Sequence, residues 1–296
     1  MRGPWALSRI SLRTGSRRHG PRFDVGGITL AAGYLWIYGV PRTSSPVAWQ
    51  VDPATLARVR SITLPPLPPR FPGLSPLVTA GPAGSVWIGS DRTLLRVNAR
   101  TGDHLASATL PAGLLVSDIS ADLAGGDLYV SAAHQVHGGM TGAVMLEFDA
   151  RSGRRLAMRS GGLISYSVAG AWLTAVPGGV WASFRTGMLG LTVHLSDKGL
   201  RMIAPPAPGI ASRPANGIFH WPMYETTVYG GGALWLANQL GIIACLDPRT
   251  GRVRASERIS QSQLVFKLAV DQTRGTIIAI DSRGLTRITP PAQCWG

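Results

Sequence analysis

Short stretches in which apolar and polar positions alternate, separated by glycine-rich turns, recur along the whole chain. This is the period-2 pattern of half-buried β-strands. One phrase repeats: a Gly-rich turn, a short strand with a central aromatic, a loop, a second strand, then a Thr-Gly turn. The aromatic strands are Tyr34-Leu-Trp36-Ile37, Ser85-Val-Trp87-Ile88, Asp127-Leu-Tyr129-Val130, Gly179-Val-Trp181-Ala182, Ala233-Leu-Trp235-Leu236 and, with the aromatic lost, Gly275-Thr-Ile277-Ile278. Their spacing of roughly 42 to 54 residues is that of one propeller blade with loops of variable length.

Each aromatic strand is taken as strand B of a four-stranded antiparallel blade. Strand A precedes it in Ile28-Thr-Leu-Ala31, Leu77-Val-Thr-Ala80, Ile119-Ser-Ala-Asp122, Thr226-Thr-Val-Tyr229 and Phe266 to Val270. Strand C follows in Trp49-Gln-Val-Asp52, Leu95-Arg-Val-Asn98, Leu146-Glu-Phe-Asp149 and Ala244-Cys-Leu-Asp247. The turns after it read Arg100-Thr-Gly102, Arg151-Ser-Gly153 and Arg249-Thr-Gly251. The Asp or Asn side chain accepts hydrogen bonds from the turning backbone, and Gly supplies the positive φ that closes the hairpin. The strand-B aromatics suit the wedge between stacked blades and are read as core rather than as ligand platforms.

The expectation is therefore an all-β propeller in a single domain, 1–296. Its complete blades are 26–66, 74–112, 115–160, 163–206 and 223–260, its last blade is 263–291, and residues 1–25 supply partial blade strands C and D. Pairing the two chain ends in one composite blade gives six blades. Strand C is then present twice, at 6–12 and 284–289, so either one copy is displaced or an upstream segment is missing; an upstream continuation would make seven.

Composition fits many short strands: 37 Gly and 22 Pro punctuate 296 residues, 45% are hydrophobic and only 15% are charged. The charge is +14 with a pI near 11.2, and it comes from arginine, since Lys198 and Lys267 are the only lysines. That bias suits a high-GC bacterial genome, and it raises the expectation of a polyanionic partner without choosing one. Arg17, Arg18, Arg58, Arg60, Arg154, Arg155, Arg252 and Arg254 fall on or beside outer D strands, with Arg13, Arg100, Arg151 and Arg249 in adjoining turns. They predict a basic circumference. Non-specific polyanion contact explains it, and so does the use of charge to stop sheet edges from pairing.

Cys245 and Cys294 are too few and too far apart for a zinc site or a disulfide scaffold; one disulfide between neighbouring blades stays open. Residues 160–184 carry no charge, but their glycines and Pro177 favour two strands and a turn over a membrane helix. The first residues have no apolar run long enough for a signal peptide. The expected location is extracytoplasmic, secreted or cell-surface, if an upstream signal was lost, and cytoplasmic if Met1 is the true start.

With phrases such as Ala233-Leu-Trp-Leu-Ala-Asn238 and Leu246-Asp-Pro-Arg-Thr-Gly251, the repeat resembles the bacterial YVTN, quinoprotein-like and streptogramin-lyase-like β-propellers over nearly the whole chain. The resemblance implies a fold more than an activity. Quinoprotein dehydrogenases hold pyrroloquinoline quinone and calcium, often against adjacent cysteines, and no adjacent cysteines occur here. Streptogramin lyases need a His base, a Glu and magnesium, whereas residues 225–296 contain no His and only Glu225 and Glu257.

Insertions concentrate on the blade end that carries the B–C loops and the D-to-A links: Gly39 to Pro46, Ala133 to Gly142, Arg185 to Gly190, and the Pro-rich links Pro65 to Pro76 and Pro205 to Pro222. Long loops on a rigid scaffold are where binding usually lives. The candidate ligand or partner contacts there are His134, His137, Arg185, His220, Trp221, Tyr224 and Glu225, joined by Arg42. The His134-Gln-Val-His137 spacing permits two ligands to one metal, but no third is identifiable, and solvated loop histidines are the preferred reading. The segment His220 to Glu225 is equally suited to plugging the central channel and to binding. No Gly-x-Ser-x-Gly elbow or nucleic-acid recognition motif appears.

The sequence thus favours a non-catalytic, monomeric binding scaffold for a protein, glycan or small ligand, with no cofactor, no metal, no catalytic residue and no transmembrane span. The alternative is a propeller enzyme, lyase-like or a hydrolase, using the histidines of the loop-rich face.

Overall fold

The computed structural model describes residues 5–11, 14, 16–23, 25–39, 45–64, 77–136, 139–161, 170–186, 189–203, 220–222, 226–237, 241–258, 265–272, 274–281 and 284–295. They form a six-bladed all-β propeller, and among the described residues the only helical turns are short 3-10 pieces such as Ala292–Cys294.

Strands β1 (Trp5–Ile10) and β2 (Arg17–Phe23) make a two-stranded antiparallel sheet. Blade 1 runs β3 (Val25–Ala31), β4 (Tyr34–Gly39), β5 (Val47–Val51), β6 (Arg58–Thr63), and blade 2 runs β7 (Val78–Gly81), β8 (Ser85–Ser90), β9 (Thr93–Asn98), β10 (His104–Thr109). Blade 3 is β11 (Leu114–Asp122), β12 (Asp127–Val136), β13 (Gly139–Asp149), β14 (Arg155–Ser160). In blade 4, β15 (Ala171–Val176), β16 (Gly179–Thr186), β17 (Leu189–Ser196) and the short β18 (Met202–Ile203) gain an extra strand, β19 (His220–Pro222), which also pairs with β17. Blade 5 is β20 (Thr226–Gly230), β21 (Ala233–Ala237), β22 (Ile242–Leu246), β23 (Val253–Arg258), and the last sheet has three strands, β24 (Val265–Asp271), β25 (Thr276–Asp281) and β26 (Gly284–Ile288). The two copies of strand C read from the sequence are β1 and β26, and each sits in a sheet of its own.

Backbone packing divides the chain into two compact units, Met1–Thr141 with Met145–Leu156, and Gly142–Val144 with Ala157–Gly296. In both units the strand-B aromatic is the centre of its blade: Trp36, Trp87, Tyr129, Trp181 and Trp235 are at most 2% exposed. Burial of each ring contributes about 1.5–3 kcal/mol, which bears out their reading as core. The uncharged segment is also as expected where described: β15 and β16 meet at Gly178, whose φ of 86° only glycine adopts freely. No helix is long and apolar enough to cross a membrane among the described residues.

Candidate functional site

The C–D turns show what the recurring Asp is for. Asp52 Oδ1 accepts the amides of Ala54 and Thr55 at 2.8 and 2.7 Å, Asn98 Oδ1 those of Arg100 and Thr101, Asp149 Oδ1 those of Arg151 and Ser152, and Asp247 Oδ1 those of Arg249 and Thr250. The following Thr or Ser hydroxyl adds a third bond to each Asp. For Asp247, partial burial pushes the carboxyl pKa up, but the Arg254 guanidinium and the Thr250 and Arg249 donors outweigh it and hold the pKa at about 2. Gly102, Gly153 and Gly251 then close the turns at φ between 69° and 77°. In blade 1 Leu56 takes that left-handed place at φ 61° and is 2% exposed. Burial of its side chain holds a conformation that costs a β-carbon about 1–2 kcal/mol.

The Asn98, Asp149 and Asp247 turns are each gripped by the blade before them. Trp87 Nε1 donates to Ala150 O at 2.9 Å, and Trp181 Nε1 donates to Pro248 O at 2.8 Å. Directly across the ladder from these indoles stand Arg96 and His194, just as Gln50 stands across from Trp36. Opposed residues of an antiparallel pair share one face, so these side chains reach the same turn. Arg96 Nη1 donates to Arg151 O at 2.6 Å, His194 Nδ1 meets Arg249 O at 3.0 Å, and Gln50 Nε2 takes both Ala99 O and Arg100 O. In blade 1 the Gln50 amide thus holds the carbonyl that an indole holds elsewhere, and Trp36 Nε1 has no partner among the described residues.

The same row explains the cysteines. Cys245 lies across from Trp235, at the position of Gln50, Arg96 and His194, and it is disulfide-bonded to Cys294. A covalent bond therefore fills the place of the polar bridge and ties down the segment after β26. Trp295 beside it packs where a β-carbon on Gly231 would sit, 2.5 Å from the ring. The question the sequence left open is answered by pairing.

His194 is 1% exposed and stacks on Trp181 with ring centroids 4.8 Å apart and planes 6° from parallel. Burial is the main reason its pKa lies below the ordinary histidine value, against smaller opposing effects from the Arg249 carbonyl and Asp197. Nδ1–H donates to Arg249 O, which leaves Nε2 as an unprotonated, unpartnered nitrogen among the described residues. The folded state thus binds a proton less readily than the unfolded chain. Its stability contribution is complete above about pH 6.5, the unfolded value, and is lost as pH falls from there through the depressed folded pKa. His194→Gln, which keeps a donor but does not titrate, is expected to flatten the slope of unfolding free energy as pH falls below about 6.5. Urea titrations across that window check it.

The residues expected to bind lie elsewhere. His134 is exposed on β12, paired with Leu114 of β11. Register places Arg185 of β16, Gly190 of β17 and Trp221 of β19 in one row, and Phe184, Leu191 and His220 in the next. Two strand spacings of about 4.8 Å separate the ends of each row. Arg185, His220 and Trp221 are thus brought to one end of blade 4. Arg42, His137, Tyr224 and Glu225, with the Pro65 to Pro76 link, lie outside the described residues.

Two expected loops take another form. In 133–142 and 185–190 the B and C strands continue as ladders to Val136 and from Gly139, and to Thr186 and from Leu189. Continued pairing satisfies backbone groups that an irregular loop leaves to solvent. His220–Pro222, expected as a plug or a binding segment, is a strand on the edge of β17 beyond the reach of β18.

Among the described residues no group of three or more His, Cys, Asp or Glu is placed to hold a metal ion. The sequence reading missed Gln50, Arg96 and His194. Their signal is positional, since each stands two residues before the turn-forming Asp52, Asn98 or Ser196, as buried Glu147 does before Asp149 and Cys245 before Asp247.

These blades place the chain among β-propeller proteins. BamB from Moraxella catarrhalis is similar in structure, with a TM-score of 0.60 and 15% identity over 95% of this chain and 78% of that one. The computationally designed Ika8 protein is similar with a TM-score of 0.53 and 13% identity over 90% and 71%. At such identities the likeness shows the fold alone. No family model and no curated relative matches the sequence.

Proposed function

We propose that this chain is a non-catalytic propeller scaffold that binds a protein, glycan or small ligand at the end of blade 4 where β16–β17 are lengthened and β19 is added. The observation that carries this reading is the row Arg185, Gly190 and Trp221, in which one extra strand, β19, is added to the lengthened ends of β16 and β17 in blade 4. Propellers are rigid, so side chains set on lengthened strands keep their spacing when a ligand arrives. The likeness to BamB and the resemblance of the repeat to YVTN-type propellers concern the fold, which supplies that rigid frame. Arg96 and His194 serve bonds from one blade to the turn of the next.

A thermal-shift screen of ligands, with and without divalent metals, tests it, since a bound ligand raises apparent stability by mass action. The expected hits lose their shift in Arg185→Ala and Trp221→Ala while the unliganded melting temperature stays within about 2 °C. Turnover of a hit that disappears in His134→Ala or His220→Ala, with the fold intact, would instead establish the enzyme reading.

We also propose an extracytoplasmic location. Its support is the Cys245–Cys294 disulfide, a bond that persists in oxidising compartments and is rare in a reducing cytosol. Acid quenching of source cells followed by alkylation under denaturing, non-reducing conditions is expected to leave both cysteines, which are buried in the fold, unlabelled. Labelling of both would sink the proposal.

A further inference from the structure

The last blade has three strands where the others have at least four. In blades 1, 2, 3 and 5 an outer strand pairs with strand C: β6 with β5, β10 with β9, β14 with β13 and β23 with β22, whereas β26 is an edge with no further strand among the described residues. Burial follows the same line. β5 and β22 each have four of five residues buried, while none of Leu285, Thr286, Arg287 and Ile288 is buried. Leu285 is 42% exposed, and Ile280, its cross-strand partner on β25, is 37% exposed.

Ile288 shows what the edge lacks. It lies across from Ile277 as Cys245 lies across from Trp235, so the two hold equivalent places in their blades. In blade 5 the outer strand sets Ala255 across from Cys245, and Ala255 packs on the apolar cluster of Trp235, Ile277 and Ala279. No described strand sets a residue in that place across from Ile288. The segment after β26 does not supply one: Ala292–Cys294 is a 3-10 turn held on blade 5 by the disulfide to Cys245 and by the Gln293 amide, which donates to Arg254 O at 3.0 Å.

An open edge offers a row of backbone donors and acceptors to an extended chain. Charge decides which chain. Arg287 is exposed within the edge and the protein carries +14 overall, so a second copy of this chain is repelled, and an acidic residue set directly across from Arg287 is favoured. The next residue of such a chain, across from Ile288, points to the opposite face, where a small apolar side chain would match Ala255.

We propose that the β26 edge takes up an extended acidic segment of another protein as the fourth antiparallel strand of the last blade. The site shares no residue with the proposed binding end of blade 4, so either can fail alone. Fluorescence anisotropy of the full chain with the labelled octapeptide Ser-Thr-Ala-Glu-Val-Ile-Thr-Ser tests it. Saturable binding with a Kd below about 1 mM is expected, and exchanging the Glu of the peptide for Lys should weaken it about fivefold. Arg287→Glu should reverse that preference and Arg287→Gln should remove it. Arg155→Glu, an exposed reversal on the outer strand of a complete blade, should leave binding within about twofold. A strand bonds to an edge through every second amide, so N-methylation of one alternate set of peptide amides should abolish binding and methylation of the other should spare it.

Absence of saturable binding up to about 1 mM, equal sensitivity to the two methylated sets, or an Arg155→Glu effect as large as that of Arg287→Glu would each overturn the proposal. Arg287→Gln keeps the test decisive if the charge reversal unsettles the fold.

Discussion

Reduction of the Cys245–Cys294 bond is expected to lower the free energy of unfolding by about 4 kcal/mol, the value chain entropy gives for a link across 49 residues. Both cysteines are fully buried in one cluster with Trp235, Ile277 and Ala279, so the bond joins two parts of the molecule that already pack together. Replacing both with Ser should cost at least as much, because two hydroxyls would then sit in an apolar cluster. The readout is urea unfolding with and without a reductant. The wild type should lose stability on reduction and the double Ser variant should be indifferent to it. A wild-type transition unmoved by reductant would show that Cys294 does not hold the terminal segment. Protease sensitivity confined to the residues after β26 would locate the loosened part.

Trp181→Ala is expected to cost about 3–5 kcal/mol, since it deletes a ring buried to 1% exposure and leaves Pro248 O without its indole donor. Trp181→Phe separates the two losses: it keeps most of the apolar volume and removes only the N–H, for about 1 kcal/mol or somewhat more. Trp36→Phe provides the contrast. Its indole nitrogen has no partner among the described residues, because Gln50 holds the turn carbonyl instead, so the same exchange should cost less there. If both Phe variants cost the same, the indole bond contributes nothing and packing alone explains the tryptophans. A double-mutant cycle of Trp181→Phe with His194→Gln should show coupling, because both side chains bind one turn and stack on each other.

The proposed binding ends were less legible than the fold. His134-Gln-Val-His137 reads as a metal motif only if a third ligand arrives from elsewhere, and no run of sequence says which strand comes near. Arg9 and Arg22 carry no signal of their own in a chain rich in arginine. Tertiary structure alone brings Arg9 and Arg18 to one carbonyl, Ala54 O. Gly139, Gly142 and Gly190 suggest loops in the sequence, whereas cross-strand pairing, which composition does not register, carries the strands through them.

What the sequence determined by itself was local: period-2 strands, Asp turns closed by glycine, and one aromatic for each of the first five blades. These follow from hydrogen bonds and burial within a few residues of each other, and they recur because each blade solves the same packing problem. Tertiary structure alone decided which turn each blade grips, why Gln50, Arg96, His194 and Cys245 share a position, and which arginines converge. The physical reason is distance along the chain. Trp181 and its acceptor are 67 residues apart, and His194 and its acceptor 55. Such pairs form only after neighbouring blades have stacked.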